Sequence, residues 1–147
     1  MADLLNDQIK GQVRDVFAEM QAPVQVLFFG QKDNCAYCDD TQQLVTEVVG
    51  LSDQLEMSVY DLAKNADVAA LYNVDKAPGL VLAGKSGDAL VDYGVRYAGI
   101  PSGHEFSSLI NDLLRVSSGD SGLDVKTREY LKGLEEPVLL QVFVTPT

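Results

Sequence analysis

The feature that most constrains this chain is the motif Cys35-Ala36-Tyr37-Cys38, which contains the only two cysteines of the sequence. Residues 24–29 precede it as a short apolar run rich in β-branched and aromatic side chains, which predicts a buried strand. Apolar residues recur after it at helical spacing and predict a helix that ends near Gly50. The motif is therefore expected where a strand ends and a helix begins, and there main-chain N–H groups and the helix dipole favour a thiolate at Cys35.

The two-residue spacing of the cysteines suits a reversible local disulfide. In this interpretation Cys35 attacks a substrate disulfide, and Cys38 resolves the mixed disulfide that results. Two other interpretations stay open at this point. A zinc site needs four ligands, and because His104 is the only histidine a second chain would have to supply the rest. The two residues are also consistent with an inert disulfide or with two buried structural thiols that take part in no chemistry.

Composition argues against several classes of function. The chain has 147 residues, 46% of them hydrophobic, which is enough for the core of one ordinary domain, or of one domain and part of another. A net charge of −11 repels phosphate backbones, so nucleic acid is not an expected partner. No apolar run is long enough to span a bilayer, and residues 1–4 lack the basic start of a signal peptide. A cytoplasmic protein without a membrane partner is expected, and in that compartment a cysteine pair is more often catalytic than structural.

Helices and strands alternate in the first half of the chain. A helix over residues 3–20, with one apolar face, comes before the first strand. A strand over residues 55–61 and a short helix over residues 64–72 follow the cysteines. A crossover through the helix that begins at the cysteines makes the first two strands parallel.

The pattern then changes to a hairpin and a further helix. Residues 79–83 and 89–96 predict two antiparallel strands joined by a turn. A helix over residues 103–116 follows, and Ser102 and Glu105 have the spacing of a capping box at its start. Together these elements predict an α/β fold with a central mixed sheet of four strands flanked by helices.

This order of elements, with C-x-x-C after the first long strand, resembles the thioredoxin fold. In that fold a cis proline precedes the third strand, and Ala77-Pro78 stands at this place in the sequence. The resemblance implies that Ala77 and Pro78 bind the substrate. Tyr37, between the two cysteines, is also expected to bind it by packing beside the sulfurs; the alternative, a ring that points into solvent, stays open. The main chain beside the proline would pair with a substrate segment as an added strand.

A second stretch resembles a narrower family. Residues 95–106, Val-Arg-Tyr-Ala-Gly-Ile-Pro-Ser-Gly-His-Glu-Phe, are similar to the protein disulfide oxidoreductases, which are glutaredoxin-like proteins built from two tandem thioredoxin units. The N-terminal domain of alkyl hydroperoxide reductase flavoproteins carries a similar stretch, typically without cysteines in its first unit. Two positions depart from the pattern, because Ala36 stands where proline is usual and Phe29 where thioredoxins have a buried aspartate. The redox potential of those families is therefore not expected for this chain, and their buried proton acceptor is missing from it.

The resemblance implies a thiol-disulfide oxidoreductase that acts on protein or small-molecule disulfides through Cys35 and Cys38. Such an enzyme needs no metal and no organic cofactor, and a reductase of the thioredoxin reductase type is the expected electron donor. The alternative is a non-catalytic scaffold or docking domain that serves a second redox site. His104 lies far in sequence from the cysteines and is expected to be a structural or surface residue rather than a catalytic one.

The C-terminal residues repeat an earlier pattern. After a linker of small residues at 119–123, the apolar pattern of residues 9–30 recurs in residues 123–144, with Pro137 in the place of Pro23. The repeat predicts a helix and a strand in the same order as at the start of the chain.

The repeat divides the chain into two parts. We expect a thioredoxin-like redox unit over residues 1–118 and the first helix and strand of a second, truncated unit over residues 124–147. The alternative, a C-terminal helix and strand that belong to a single domain, stays open. A lone strand over residues 138–144 favours association, so we predict that it pairs with a neighbouring chain or folds back onto an edge of the sheet.

Overall fold

The structure, a computed structural model, describes residues 2–145. In this part of the chain the helices are α1 (Asp7–Phe17), α2 (Cys38–Val49), α3 (Ala66–Leu71), α4 (His104–Ser118) and α5 (Val125–Lys132). The strands are β1 (Val24–Gly30), β2 (Leu55–Asp61), β3 (Gly79–Ser86) and β4 (Ala89–Ala98). None of the described helices is both long enough and apolar enough to cross a membrane.

The four strands form one mixed sheet in the order β2-β1-β3-β4. β1 and β2 run parallel, because α2 returns the chain to the same end of the sheet, whereas β3 pairs antiparallel with both β1 and β4. All residues of β1 are buried, since it has a strand on each side and helices over its faces. This burial explains the continuous apolar run in its sequence. The predicted α/β fold with a mixed four-stranded sheet is confirmed.

The side chains of β1 alternate between two apolar layers, since successive residues of a strand point to opposite faces of a sheet. Val26 and Phe28 belong to the main core, to which α1, α2 and α4 also contribute. Leu27 and Phe29 belong to a smaller core on the other face, together with α3. Cys38 is a member of the main core, so the cysteine motif lies on the face that α1, α2 and α4 cover.

α1 is shorter than the helix predicted over residues 3–20. Asn6 caps it, because its Oδ1 accepts a hydrogen bond of 2.9 Å from the N–H of Ile9. Residues 2–5 precede this cap and are held by side chains of α2 instead. The apolar periodicity of this segment extends past the helix, but asparagine is a favoured N-cap, so the helix begins directly after Asn6.

α4 begins one residue later than predicted, and the predicted capping box of Ser102 and Glu105 is wrong. The cap residue is Gly103, and no side chain bonds to the first turn of the helix. The φ angle of Gly103 is 62°, which glycine adopts readily because it has no Cβ. This turn of the main chain separates Ser102 from the helix, so its side chain cannot cap it.

The C-terminal helix forms, but the predicted strand over residues 138–144 is wrong. Asp124 caps α5 by accepting a 2.9 Å hydrogen bond from the N–H of Thr127. The described residues after α5 belong to no helix or strand and do not join the sheet, so the predicted folding back onto a sheet edge is also wrong. A strand needs a partner for its N–H and C=O groups, and an apolar sequence alone does not supply one. Residues 146–147 of the expected second unit lie outside the described residues.

Candidate active site

The two cysteines form a disulfide at the start of α2, with their Cα atoms 5.5 Å apart. Cys38 is the first residue of α2, and Cys35 lies in the loop that comes from β1. The carbonyl of Tyr37 accepts hydrogen bonds from the N–H of Thr41 at 2.9 Å and from its hydroxyl at 2.6 Å, which fixes the first turn of α2. The motif therefore lies at the strand-to-helix junction, as predicted, although Cys35 precedes the first helical turn.

The two cysteines differ in their exposure. Cys38 is 5% exposed and belongs to the main core. Cys35 is only partly buried and packs against the edge of that core. Of the two residues, Cys35 is therefore the one that a large substrate can reach without displacing the core.

The loop before β3 meets the sheet at the same end as the cysteine loop. Phe29 pairs with Gly79 in the β1–β3 register, so Pro78 lies just beyond the end of this ladder. The Ala77-Pro78 bond is cis, as the resemblance implies. Ala77 and Cys35 both pack against the main core. Within residues 2–145 the N–H and C=O of Ala77 make no hydrogen bond, so both are free to pair with another segment.

Arg96 anchors this loop to β4. Its guanidinium donates a 2.8 Å hydrogen bond to the carbonyl of Tyr72 and lies 5.9 Å from the centroid of that ring. It also bonds both carboxylate oxygens of Asp92, at 2.8 and 2.7 Å, and these hydrogen bonds hold the pKa of Asp92 at about 2. The ion pair therefore persists at neutral pH. Local sequence patterns assign no role to Arg96, because the carbonyl that it binds is 24 residues away.

Acidic side chains outnumber basic ones around the cysteines. Lys32, Asp33, Asp39 and Asp40 are exposed, and none of them forms an ion pair in the described part of the chain. A thiolate at this site would depend on the N–H groups and dipole of α2 rather than on a fixed cation. The side chain of His104 is exposed at the start of α4 and makes no hydrogen bond or ion pair among the described residues.

The aromatic residues near the motif supply apolar surface rather than a proton acceptor. Tyr37 is 59% exposed and adjoins Cys38 in the chain, so its ring is available to a substrate. Phe29 is fully buried and stacks on Tyr60, with the ring centroids 5.2 Å apart, on the face of the sheet opposite to Cys38. Phe28 lies on the same face as Cys38. Neither position of β1 therefore provides the carboxylate found in thioredoxins.

An apolar groove with a volume of about 430 Å³ lies between α2, the start of α4 and the N-terminal segment. We call it the α2–α4 groove. Its lining includes Leu4, Leu5, Asp40, Leu44, Ile100 and Phe106. The one sequence signal for it is Asn6, a favoured helix cap, which indicates that residues 2–5 lie outside the helix and can line a surface.

The chain is similar to known proteins over most of its length. A family model described as "Thioredoxin domain" matches residues 23–111. The alkyl hydroperoxide reductase AhpF of Pseudomonas aeruginosa is 27% identical over 132 residues, which are 90% of this chain and 22% of that protein. The AhpF of Staphylococcus epidermidis is 26% identical over 145 residues, which are 98% of this chain and 25% of that protein. The chain thus spans about a quarter of the length of these curated relatives.

Solved structures share the fold. A protein disulfide oxidoreductase from Aeropyrum pernix k1 matches with a TM-score of 0.76 and 30% sequence identity, over 91% of this chain and 56% of that chain. The NTD_N/C domain of alkylhydroperoxide reductase AhpF from Enterococcus faecalis matches with a TM-score of 0.74 and 24% identity, over 85% of this chain and 58% of that chain. At that identity the second likeness shows the fold alone.

Proposed function

The chain belongs to the thioredoxin domain family, and from this premise we propose that it is a protein disulfide oxidoreductase that acts through Cys35 and Cys38. The observation that carries the proposal is a disulfide at the start of α2 between one partly exposed and one buried cysteine. The likeness to a protein disulfide oxidoreductase at 30% identity supports it. A structural disulfide would not require that one of its sulfurs remain within reach of a substrate.

Exchange begins from the reduced pair. The Cys35 thiolate attacks one sulfur of a substrate disulfide, the substrate S–S bond breaks, and the leaving thiolate takes up a proton. Cys38 then loses its proton and attacks the Cys35 sulfur, which releases the second substrate thiol. Two electrons pass to the substrate, and the protein is left with the Cys35–Cys38 disulfide of the structure. These steps need only the two sulfurs, and their reversal oxidises a substrate dithiol.

The main chain at Ala77 and the exposed ring of Tyr37 bind the substrate in this proposal. Both main-chain groups of Ala77 lack a hydrogen-bond partner among the described residues, and they lie at the same end of the sheet as the cysteine loop. An extended substrate segment that pairs with Ala77 would direct its disulfide toward Cys35. Arg96 acts as a positioning residue, because it ties this loop to β4.

The partners follow from the chemistry. The substrates are proteins or small molecules that carry a disulfide, and each turnover needs a dithiol donor, for which we propose a reductase of the thioredoxin reductase type. The likeness to alkyl hydroperoxide reductase AhpF supports a place in a reductase system. We assign the protein to the cytoplasm, where such a reductant keeps exchangeable thiols reduced.

Two cysteine variants test the roles of the sulfurs. With insulin as substrate, Cys35→Ser should abolish reduction, because the attacking sulfur is lost. Cys38→Ser should accumulate a mixed disulfide between Cys35 and the substrate, visible by mass spectrometry and cleaved by dithiothreitol. A mixed disulfide that forms in Cys35→Ser and not in Cys38→Ser would show that the roles are reversed.

A docking domain without redox turnover is the second candidate function. The match to AhpF proteins favours it, because this chain corresponds to about a quarter of such a protein. A docking domain would bind its partner equally well as Cys35→Ser, Cys38→Ser or unsubstituted chain, and none of the three would reduce insulin. Insulin reduction by the unsubstituted chain alone, lost in Cys35→Ser, would exclude this candidate.

We also propose that residues 124–147 begin a second unit of the same fold, joined by the linker at 119–123 to the redox unit over residues 1–118. Leu131 of α5 is 46% exposed, whereas Phe17, its counterpart in the repeat, is 3% exposed in the main core. An exposed apolar helix face of this kind is generally buried against another part of the protein or against a partner. Limited proteolysis should cut after residue 118 and leave the redox unit intact.

A further inference from the structure

The α2–α4 groove has a wall that is already in place. Residues 2–5, which we call the N-terminal strap, form this wall with Leu4 and Leu5. The Glu47 carboxylate of α2 accepts hydrogen bonds from the N–H groups of Leu4 at 2.8 Å and Leu5 at 2.9 Å, and Gln43 donates to the carbonyl of Ala2 at 2.8 Å. A groove whose wall is fixed in this way loses little conformational entropy when a ligand enters.

The groove combines an apolar lining with one carboxylate. Leu44, Ile100 and Phe106 provide apolar surface, and Asp40 is the one charged residue of the lining. Asp40 is exposed, follows Cys38 by two residues and forms no ion pair within the described residues. An occupant that buries an apolar side chain and carries a cation beside it would complement both features. The net charge of −11 disfavours an acidic occupant further.

The C-terminal tail of the chain does not match this groove. Residues 138–144 are apolar, but Glu135 and Glu136 precede them, and the chain has no lysine or arginine after Lys132. The tail would therefore bring like charge toward Asp40, whether it came from the same molecule or from a second copy. The occupant that fits is a basic segment of another protein.

We propose that the α2–α4 groove binds a substrate protein by an apolar side chain near its disulfide, while Asp40 pairs with a lysine or arginine beside that side chain. The inference rests on the proposed function, because it assumes that Cys35 and Cys38 are the reacting pair. Asp40 lines the groove and lies in the first turn of the helix that begins with Cys38, so the groove adjoins the end of α2 that carries the cysteines. The protein therefore reduces disulfides with an apolar-basic flank faster than those with an acidic or polar flank.

Three synthetic peptides test this preference. Each is closed by one disulfide, and they differ only in two residues beside a cysteine, which are Leu-Lys, Leu-Glu or Ser-Lys. The full chain is reduced, freed of reductant and mixed with each peptide, and the loss of peptide disulfide is followed by chromatography after acid quench. Leu-Lys should react about fivefold faster than Leu-Glu, as expected for one exposed ion pair. It should react about tenfold faster than Ser-Lys, as expected for a partly buried leucine.

Matched variants separate the groove from the general charge of the surface. Asp40→Lys should abolish or invert the preference for Leu-Lys over Leu-Glu, whereas Asp39→Lys, with the same charge change one residue earlier and outside the groove lining, should retain it. Ser102 also lines the groove and is exposed, so Ser102→Phe should fill the groove without disturbing the core and reduce the preference for leucine over serine. Ratios of rates within one variant cancel any change in the reactivity of the thiols.

A second substrate distinguishes failure of the docking inference from failure of the proposed function. Hydroxyethyl disulfide, which carries no side chain to dock, reports the chemistry alone. If the reduced protein reduces neither hydroxyethyl disulfide nor insulin, the proposed function fails and the docking inference fails with it. If either one is reduced but the three peptides react at equal rates, or if Asp39→Lys and Asp40→Lys change the ratio equally, only the docking inference is wrong.

Discussion

Replacing Ser117 by alanine tests how the turn before β1 is fastened to the end of α4. The Ser117 hydroxyl accepts hydrogen bonds from the N–H groups of Gln21 at 2.9 Å and Ala22 at 3.0 Å. It donates one to the carbonyl of Ala22 at 2.7 Å. Ser117 is 5% exposed and lies in the last turn of α4, so one buried hydroxyl satisfies three main-chain groups that lie about ninety-five positions earlier in the chain.

The expected loss of stability in Ser117→Ala follows from the main-chain groups that lose their hydrogen-bond partner. A hydrogen bond contributes about 0.5–1.5 kcal/mol net, and a buried group left unpaired costs about 1–3 kcal/mol. Gln21 is exposed, so water replaces the partner of its N–H, and the two groups of the half-buried Ala22 account for most of the loss. We expect Ser117→Ala to lower the free energy of unfolding by about 2–4 kcal/mol. The melting temperature should then fall by about 6–12 °C for a chain of this size.

Urea denaturation of the oxidised protein, followed by circular dichroism, measures this difference. Ser108→Ala is the matched control, because Ser108 lies exposed in the same helix and its hydroxyl has no hydrogen-bond partner within the described residues. The control should change the free energy of unfolding by less than about 0.5 kcal/mol. If Ser117→Ala is no less stable than Ser108→Ala, the three hydrogen bonds do not hold the turn, and the reasoning is refuted.

Three other predictions concern the strap, the glycines and the tail. Burial alone would raise the pKa of Glu47, but the hydrogen bonds from the N–H groups of the N-terminal strap, together with the one from Gln43, outweigh it and lower the pKa below its ordinary value of 4.5. Ionised Glu47 therefore stabilises the strap fully above pH 4.5, and this stabilisation is lost as the pH falls through the lowered pKa of the folded state. Hydrogen exchange of the strap amides measures the effect, and amide protection that does not change in acid would contradict it. Gly79→Ala should destabilise by about 1–3 kcal/mol, because its Cβ would lie 2.7 Å from a main-chain carbonyl. At Gly11 in α1 an added Cβ would have no atom within 4 Å, so Gly11→Ala should stabilise the protein by about 0.5–1 kcal/mol. Urea denaturation should therefore show changes in the free energy of unfolding of opposite sign for the two variants. Leu140 and Phe143 are 83% and 88% exposed, so aspartate at both positions should reduce self-association in light scattering. An unsubstituted chain that stays monomeric at high concentration would remove the basis for this prediction.

Much of the fold follows from short-range patterns in the sequence. The apolar run at 24–29 predicts β1, and the alternation at 55–61 predicts β2 with the bounds that the structure has. These patterns are reliable because the faces of a strand are buried or exposed with a fixed period of two residues. The position of the cysteine motif follows from the same strand and from the helical periodicity after it, since the motif lies between the two. Pro78 is identified by the resemblance, and its cis bond is confirmed.

Local patterns fail where a polar residue or a glycine redirects the main chain. Asn6 sets the start of α1 although the apolar periodicity extends past it, and Gly103 moves the start of α4 past Ser102. In the tail, residues 138–144 have the composition of a strand but form none in the structure. Helix hydrogen bonds close within the segment itself, whereas a strand exists only when a second segment supplies its partners.

The sequence by itself determines that the two cysteines lie at the start of a helix and that the strands before and after them can form a mixed sheet. Tertiary structure decides which cysteine remains partly accessible, because the main core covers Cys38 and leaves Cys35 at its edge. It also decides that Arg96 holds the loop of Ala77 and that residues 2–5 complete the α2–α4 groove. Each of these features joins residues that are distant in the chain, and only the packing of helices against the sheet brings such residues within bonding distance.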